Sequence, residues 1–310
     1  MGQKVIVIVG PTCSGKTRLS LILAEKLKSE IISADSRQVY KYLTIGTAKP
    51  SANELRIIKH HFIDELEPNE EFNADLFSKR AKEIISRLIE KDSIPIVVGG
   101  SGLYIKALVD GITQTVVSNK LLRNELLELR KKYGNAYLYD ELKKIDPISA
   151  EKMLPQNWKR VIRAIEVFKL TGKPIWQHHI ENPIQQEFEF FQYGLKWDRK
   201  KLYQNIECRV DEMIKNGFIE EVKMILDKGY SKEINSLNTL GYKEIIDLLD
   251  GKLTFNEAVN RIKINTRRFA KRQMTWFNAD KRIKWFEIDS YEELNNIAEN
   301  ILEDFYERKN

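Results

Sequence analysis

One stretch near the start constrains the fold more than any other: Lys4-Val5-Ile6-Val7-Ile8-Val9-Gly10-Pro11-Thr12-Cys13-Ser14-Gly15-Lys16-Thr17. Its apolar, β-branched half has the composition of a strand buried on both faces. Residues 18–24 have helical composition and spacing. Between strand and helix stands the pattern G-x-x-x-x-G-K-T, which fits a phosphate-binding loop. Gly10 and Gly15 let the backbone turn so that successive N–H groups point inward at an anion. The following helix adds the positive end of its dipole. Lys16 supplies an ammonium for terminal phosphate oxygens, and Thr17 a hydroxyl for a magnesium ion. A plain glycine-rich turn is the alternative; strand before and helix after favour a loop that holds a diphosphate or triphosphate.

More strands and helices alternate behind this unit. Residues 30–36 read as a second strand ending in Asp35-Ser36, and 94–100 as a third running into Gly99-Gly100. Residues 74–91 have helical spacing, with Leu76, Phe77, Ala81, Ile84, Ile85 and Leu88 on one side, and 101–109 read as a further helix. Such alternation predicts an α/β phosphate-loop core with a parallel sheet. Ligands collect at the carboxyl ends of such strands. The phosphate loop, Asp35-Ser36 and Gly99-Gly100-Ser101 therefore converge on one cleft.

From 112 to 189 the pattern changes to charged helices at 118–133, 135–145, 147–154 and 156–171, the last stopped by Gly172-Lys173-Pro174, then an irregular stretch over 175–189. This is a mostly helical insertion in a core made of 1–111 and 190–310. Strand character resumes at 188–195, and 198–310 read as helical.

Composition excludes several classes. With 42% apolar and 31% charged residues over 310 positions, the chain is an ordinary globular one, and no apolar run approaches a membrane span. The first strand starts too early to leave room for a secretory signal, and Ile6 stands where a myristoylation signal needs Ser or Thr. Cys13 and Cys208 form no metal-spaced cluster, which predicts a reducing, cytoplasmic compartment. The net charge of +6 is unevenly placed: residues 261–285 carry nine Lys or Arg against Asp280 alone. That run is either a polyanion-facing surface or a solvated helix face.

Single residues leave their roles open. Asp35 could hold magnesium through water, bind an acceptor, act as a general base, or cap the following turn. Ser101 could be a helix N-cap or reach a substrate oxygen. Arg209 alone reads as a surface arginine. On the helix over 257–277, Arg261, Asn265, Arg268 and Arg272 share one stripe, with Ile262, Phe269, Trp276 and Phe277 assigned to the core. Lys159-Arg160 with Arg163 forms a second basic cluster, suited to phosphate contacts. The pairs His60-His61 and His178-His179 cannot each turn two rings to one metal. The third strand ends in glycines where a motor or switch NTPase would carry a carboxylate, which argues for group transfer.

Seven ordered motifs together resemble the tRNA dimethylallyltransferases. They are the phosphate loop; Asp35-Ser36-Arg37-Gln38-Val39-Tyr40; Ile45-Gly46-Thr47-Ala48-Lys49-Pro50; Val98-Gly99-Gly100-Ser101-Gly102-Leu103-Tyr104; the segment from Arg160 to Val167; Gly241-Tyr242-Lys243-Glu244; and the segment from Thr266 to Phe277. The likeness runs in order from residue 5 to about 286. It implies transfer of a dimethylallyl group from dimethylallyl diphosphate to N6 of the adenosine just 3′ of the anticodon, with Mg²⁺ at Thr17. Gly10, Pro11, Thr12, Cys13, Ser14, Gly15, Lys16 and Thr17 would grip the leaving diphosphate, helped by Arg209. Asp35 would be the general base, Ser101 would contact the bridging oxygen or the nucleotide, and Gln38 the target base. An adenine stacked in an anticodon loop must be flipped out to react.

Carried over residue by residue, contacts to the tRNA anticodon stem-loop fall to Asp35, Ser36, Arg37, Gln38, Ser101, Arg123, Lys159, Arg160, Val161, Ile162, Arg163, Asn238, Thr239, Leu240, Gly241, Tyr242, Lys243, Arg267, Arg268, Lys271, Arg272 and Gln273. This favours RNA as the partner of the basic run, with no membrane, and a monomer as the working unit. The family commonly has Thr at Ser101, Pro at Lys59, and Pro-x-Ala-Asp where this chain reads Val116-Val117-Ser118-Asn119. A small-molecule kinase, an isopentenyltransferase of free adenine nucleotides and a non-catalytic RNA-binding protein are the alternatives.

Overall fold

The structure, a computed structural model, describes residues 3–111, 119–181 and 187–307. The departure noted at Val116-Val117-Ser118 lies outside them. The chain divides into two compact units, residues 1–110 with 187–310 and residues 111–186. The boundary expected at 189 falls earlier because Phe188 is buried in the core of the first unit and Glu189 pairs with Lys4.

The first unit is built on a six-stranded parallel sheet. Its strands are β1 (Lys4–Val9), β2 (Ile31–Ser33), β3 (His60–His61), β4 (Ile96–Gly99), β5 (Glu189–Trp197) and β6 (Lys284–Ile288), in spatial order β3-β2-β4-β1-β5-β6. β1 lies at the centre, with Val7 opposite Val97 on one side and Gln192 on the other. Its alternation divides the core. Val5, Val7 and Val9 pack on one face with helices α3 (Ala74–Glu90) and α4 (Gly102–Val109); Ile6 and Ile8 pack on the other with α1 (Lys16–Leu27). All five side chains are fully buried, as strands covered by helices on both faces require. α2 (Ala52–Ile57) is short, with Ser51 and Glu54 closing a capping box at its start.

The second unit contains α5 (Lys120–Ile145), α6 (Pro147–Glu151), α7 (Trp158–Thr171) and α8 (Ile175–Glu181). α5 is broken by Gly134, whose φ of 86° no other residue type adopts cheaply, in agreement with the two helices read there. Of the stretch 175–189 expected to be irregular, 175–181 are helical, 182–186 lie outside the described residues, and Glu189 already belongs to β5. Leu126, Leu138, Leu142, Val161, Ile162 and Ile165 form this unit's own core.

The first unit then closes with α9 (Arg199–Lys215), α10 (Phe218–Asp227), α11 (Tyr242–Leu249), α12 (Phe255–Asn278) and α13 (Leu294–Glu307). β6 interrupts the stretch read as wholly helical. Its five residues are too few for a periodic signal, and pairing with β5 decides them. On α12 the buried side is Ala258, Ile262, Thr266, Ala270, Gln273 and Phe277. Phe269 and Trp276, assigned to the core from the sequence, are exposed: a spacing of seven from Ile262 drifts off the buried stripe of a straight helix. No described helix is long and apolar enough to cross a membrane.

Candidate active site

At the carboxyl ends of β1, β2 and β4 lies a cavity of about 490 Å³ lined by the phosphate loop, Asp35, Gln38, Lys49, Gly99 and Gly100, and on its far side by Asn205, Arg209, Phe269 and Tyr291. The loop turns through Gly15, whose φ of 93° caps α1, and a Cβ there would stand 3.1 Å from the Tyr291 ring. Burial pushes the Lys16 ammonium down from 10.5 to about 8; Cys13 raises it, Arg209 lowers it further and Asp35 raises it. Lys16 and Asp35 therefore share one local field. The ammonium folds back onto the Pro11 carbonyl.

Three side chains outside the motif fix the loop. The Trp197 indole N–H donates to the Ser14 carbonyl at 3.0 Å, and the Tyr291 hydroxyl to the Cys13 carbonyl at 2.7 Å. The two rings meet edge to face at 5.0 Å, and burial pushes the Tyr291 hydroxyl up to about 12. With those carbonyls tied outward, the loop keeps its inward turn without an anion. The third is Gln273. Its Oε1 accepts from the Thr12 N–H at 2.8 Å and its Nε2 donates to the Gly100 carbonyl at 2.9 Å. A Cβ on Gly100 would come within 2.3 Å of that amide nitrogen and displace the Gln273 side chain from its place. Gln273, 7% exposed, ties the loop to the end of β4 instead of reaching out to RNA, and it occupies the Thr12 N–H.

Asp35 caps its turn: Oδ1 accepts from the N–H groups of Arg37 at 2.8 Å and Gln38 at 3.3 Å. The carboxylate is thereby held at the cavity wall, so capping and chemistry are not exclusive. Ser101 makes no cap bond to α4; its Oγ accepts from the Ser36 N–H at 3.1 Å and joins the ends of β2 and β4. Gln38, expected at the target base, has its amide engaged by Ser33 and by the carbonyls of Thr47 and Ala48. Lys49 is buried, its ammonium on the Tyr40 carbonyl at 2.6 Å and on Asp64, and burial lowers its affinity for a proton.

Several sequence-predicted RNA contacts are buried instead. Tyr242 is fully buried and donates to Glu221, whose carboxylate also accepts from the N–H groups of Thr44, Ile45 and Gly46. Gly241 is buried too; Asn238 and Lys243 are exposed, and Thr239 and Leu240 half-buried. In the second unit, Val161 and Ile162 belong to the core, on the face of α7 turned away from the exposed Lys159 and Arg160. Arg123 and Arg163 flank the fully buried Glu166 at 3.0 and 2.7 Å, and hydrogen bonds from Arg163 and the Asn119 N–H outweigh burial in lowering its proton affinity.

The basic run also divides. Lys263, Arg267, Arg282 and Lys284 are ion-paired to Asp211, Glu207, Asp280 and Asp304. Among the described residues Arg261, Arg268, Lys271, Arg272 and Lys281 make no ion pair. Arg268, Lys271 and Arg272 are exposed on α12. Three histidines bond within the fold: His61 to Glu30 at 2.6 Å, His60 to the Ile58 carbonyl and His178 to the Thr171 hydroxyl.

Fold and cavity define a phosphate-loop α/β protein whose cavity at that loop carries a carboxylate, with no acid ending β4. The family model for the IPP transferases matches residues 38–280, and the chain belongs to that family. It is 48% identical over 306 residues to a tRNA dimethylallyltransferase of Alkaliphilus oremlandii, covering 98% of each chain, and 45% identical to that of Caldanaerobacter subterraneus, again 98% of each. Among solved structures, a tRNA isopentenylpyrophosphate transferase of Bacillus halodurans is similar at a TM-score of 0.73 and 38% identity, covering 99% of this chain and 98% of that one. A eukaryotic dimethylallyltransferase described as acting on tRNA matches at 0.85 and 30%, covering 98% and 80%.

Trp197, Tyr291, Asn205 and Glu221 escaped the sequence reading, and Lys49 entered it only as part of a motif, with no role of its own. Trp197 alone carried a usable signal, since it ends a strand of the parallel sheet.

Proposed function

We propose that this protein transfers a dimethylallyl group from dimethylallyl diphosphate to the exocyclic N6 of the adenosine adjacent to the anticodon in tRNA, working as a monomer in the cytoplasm. One observation carries the reading: Lys16 and Asp35 line a single cavity, close enough for the carboxylate to raise the proton affinity of the ammonium. Names of relatives over nearly the whole chain support tRNA and the dimethylallyl group. Free Cys13 and Cys208 fit a reducing compartment, and a cavity lined by one unit of one chain fits a monomer.

In this reading N6 attacks the allylic carbon, the carbon–oxygen bond breaks, and the diphosphate leaves with the bonding electrons. Lys16, the loop N–H groups that remain open, and Arg209 stabilise the charge that grows on the leaving group. Asp35 takes the proton that N6 must lose. It faces the reacting nitrogen while its Oδ1 stays on the turn, so its orientation is fixed before substrate arrives. Ser101 holds the Asp35-Ser36 corner against β4 and so sets that distance.

Thr17 lines the cavity, and among the described residues no group of three or more metal-ligating side chains stands together. That donor set suits magnesium held through one hydroxyl, water and diphosphate oxygens. When bound it would neutralise part of the leaving group's charge. Arg268, Lys271 and Arg272 with Lys243 of the first unit, and Lys159 and Arg160 of the second, supply phosphate contacts for the RNA.

The test is incubation with labelled dimethylallyl diphosphate and unmodified tRNA, then nucleoside analysis. Label in N6-dimethylallyladenosine is the expected result. Phosphoryl transfer from ATP without RNA would instead make the protein a kinase.

A further inference from the structure

Four buried side-chain atoms of the described residues have no hydrogen-bond partner, and two of them, Ser14 Oγ and Asn205 Nδ2, belong to residues that line the anion cavity. A buried donor left unsatisfied costs stability, so its persistence at a site asks for a reason. Asn205 lies on α9 one turn before Arg209, and residues four apart share a helix face. The wall of the cavity that Lys16 also lines thus carries an amide with an unpartnered donor one helical turn from a guanidinium.

We propose that Asn205 is a further diphosphate ligand, its amide N–H groups donating to an oxygen of the leaving group beside Arg209. This rests on the diphosphate reading of the cavity given above. An amide suits the position: it adds a directed donor without a third cation beside Lys16 and Arg209, whose guanidinium already disfavours the charge on the Lys16 ammonium. An aspartate there would turn the donor into an anion facing the diphosphate.

The probe is inorganic pyrophosphate with magnesium, titrated calorimetrically into the full chain and into N205A and N205D, with melting temperatures taken with and without ligand. Loss of one hydrogen bond to a charged group predicts about tenfold weaker binding for N205A. N205D is expected to bind more weakly still. Without pyrophosphate, N205A melts at or above the wild-type temperature, because the unsatisfied donor is gone. A purely structural asparagine would move both measurements the same way. Equal pyrophosphate affinity in wild type and N205A, or a lower melting temperature of ligand-free N205A, overturns the proposal. Wild-type protein that ignores pyrophosphate altogether overturns the diphosphate reading itself.

Discussion

The two sides of α12 carry different kinds of function on one helix. Its inner side places Gln273, almost wholly buried, between the phosphate loop and Gly100, with both ends of the amide engaged. Its outer side carries Arg268, Lys271 and Arg272 in water, without ion pairs among the described residues. Buried, fully partnered groups fix geometry, and geometry decides the rate of a chemical step. Exposed cations attract a polyanion at long range and pay for it in salt sensitivity. Rate and RNA affinity should therefore be separable by substitution.

The largest expected break is at Asp35. Asp35→Ala removes the base and the turn cap together, and transfer should fall by about a thousandfold or more, in the range seen when a positioned acid–base group is lost. Binding of tRNA should hold within about tenfold, because the outer cations are untouched. Asp35→Asn keeps an acceptor for the Arg37 N–H and should lose as much rate with less stability cost. Full transfer in either variant would take Asp35 out of the proton-accepting role.

Gln273→Ala tests the inner side directly. It orphans the Thr12 N–H and the Gly100 carbonyl, so about 2 kcal/mol of stability should go, with a drop in kcat larger than the change in tRNA affinity. A variant with normal kcat and weakened RNA binding would restore Gln273 to the outer side.

Much of this was legible in the sequence because it was local. The Gly-rich turn, the β-branched strand before it and the carboxyl-end rule placed Lys16, Asp35 and Gly99-Gly100 in one cavity. Long-range partners were not legible. Nothing local to Gln273 says that it will meet Thr12, 261 positions away, nor local to Tyr291 that it will meet Cys13, 278 away. Charge was misjudged for the same reason. The nine cations of 261–285 read as one patch, but Arg267 and Lys263 are held by acids of α9 that no periodicity connects to them. The motif at 160–167 was likewise right as a helix, yet Val161 and Ile162 turn inward, because the core stripe of an amphipathic helix returns every third or fourth position and takes in 161, 162, 164 and 165.

Lys16 makes the inner side sensitive to pH. With its free-state value near 8, pyrophosphate affinity should fall as pH rises through 8, by up to about tenfold per pH unit while the bound ammonium stays protonated. The effect on folding runs the other way. The unfolded chain holds this proton up to 10.5, so between 8 and 10.5 it binds more protons than the folded one, and the Lys16 contribution to stability rises with pH. Lys16→Met should flatten the first trend, measured by pyrophosphate titration across pH. An unchanged slope in that variant would assign the titration to another group.

The finest test sets neighbours on the outer helix against each other. Arg268 is exposed with no ion pair among the described residues, whereas Arg267 lies 2.5 Å from Glu207 and over the Tyr203 ring. Arg268→Ala should lower the slope of log affinity against log salt by about one, with binding weakened severalfold at moderate salt. Arg267→Ala should leave that slope nearly unchanged, because its charge is already balanced by an acid and few counterions are released on its account. Its cost belongs to the contact between α9 and α12 and should register as a small loss of melting temperature. Equal slopes for the two variants would mean that the Glu207 pair opens on RNA, and Arg267 would then join Arg268, Lys271 and Arg272 on the outer side.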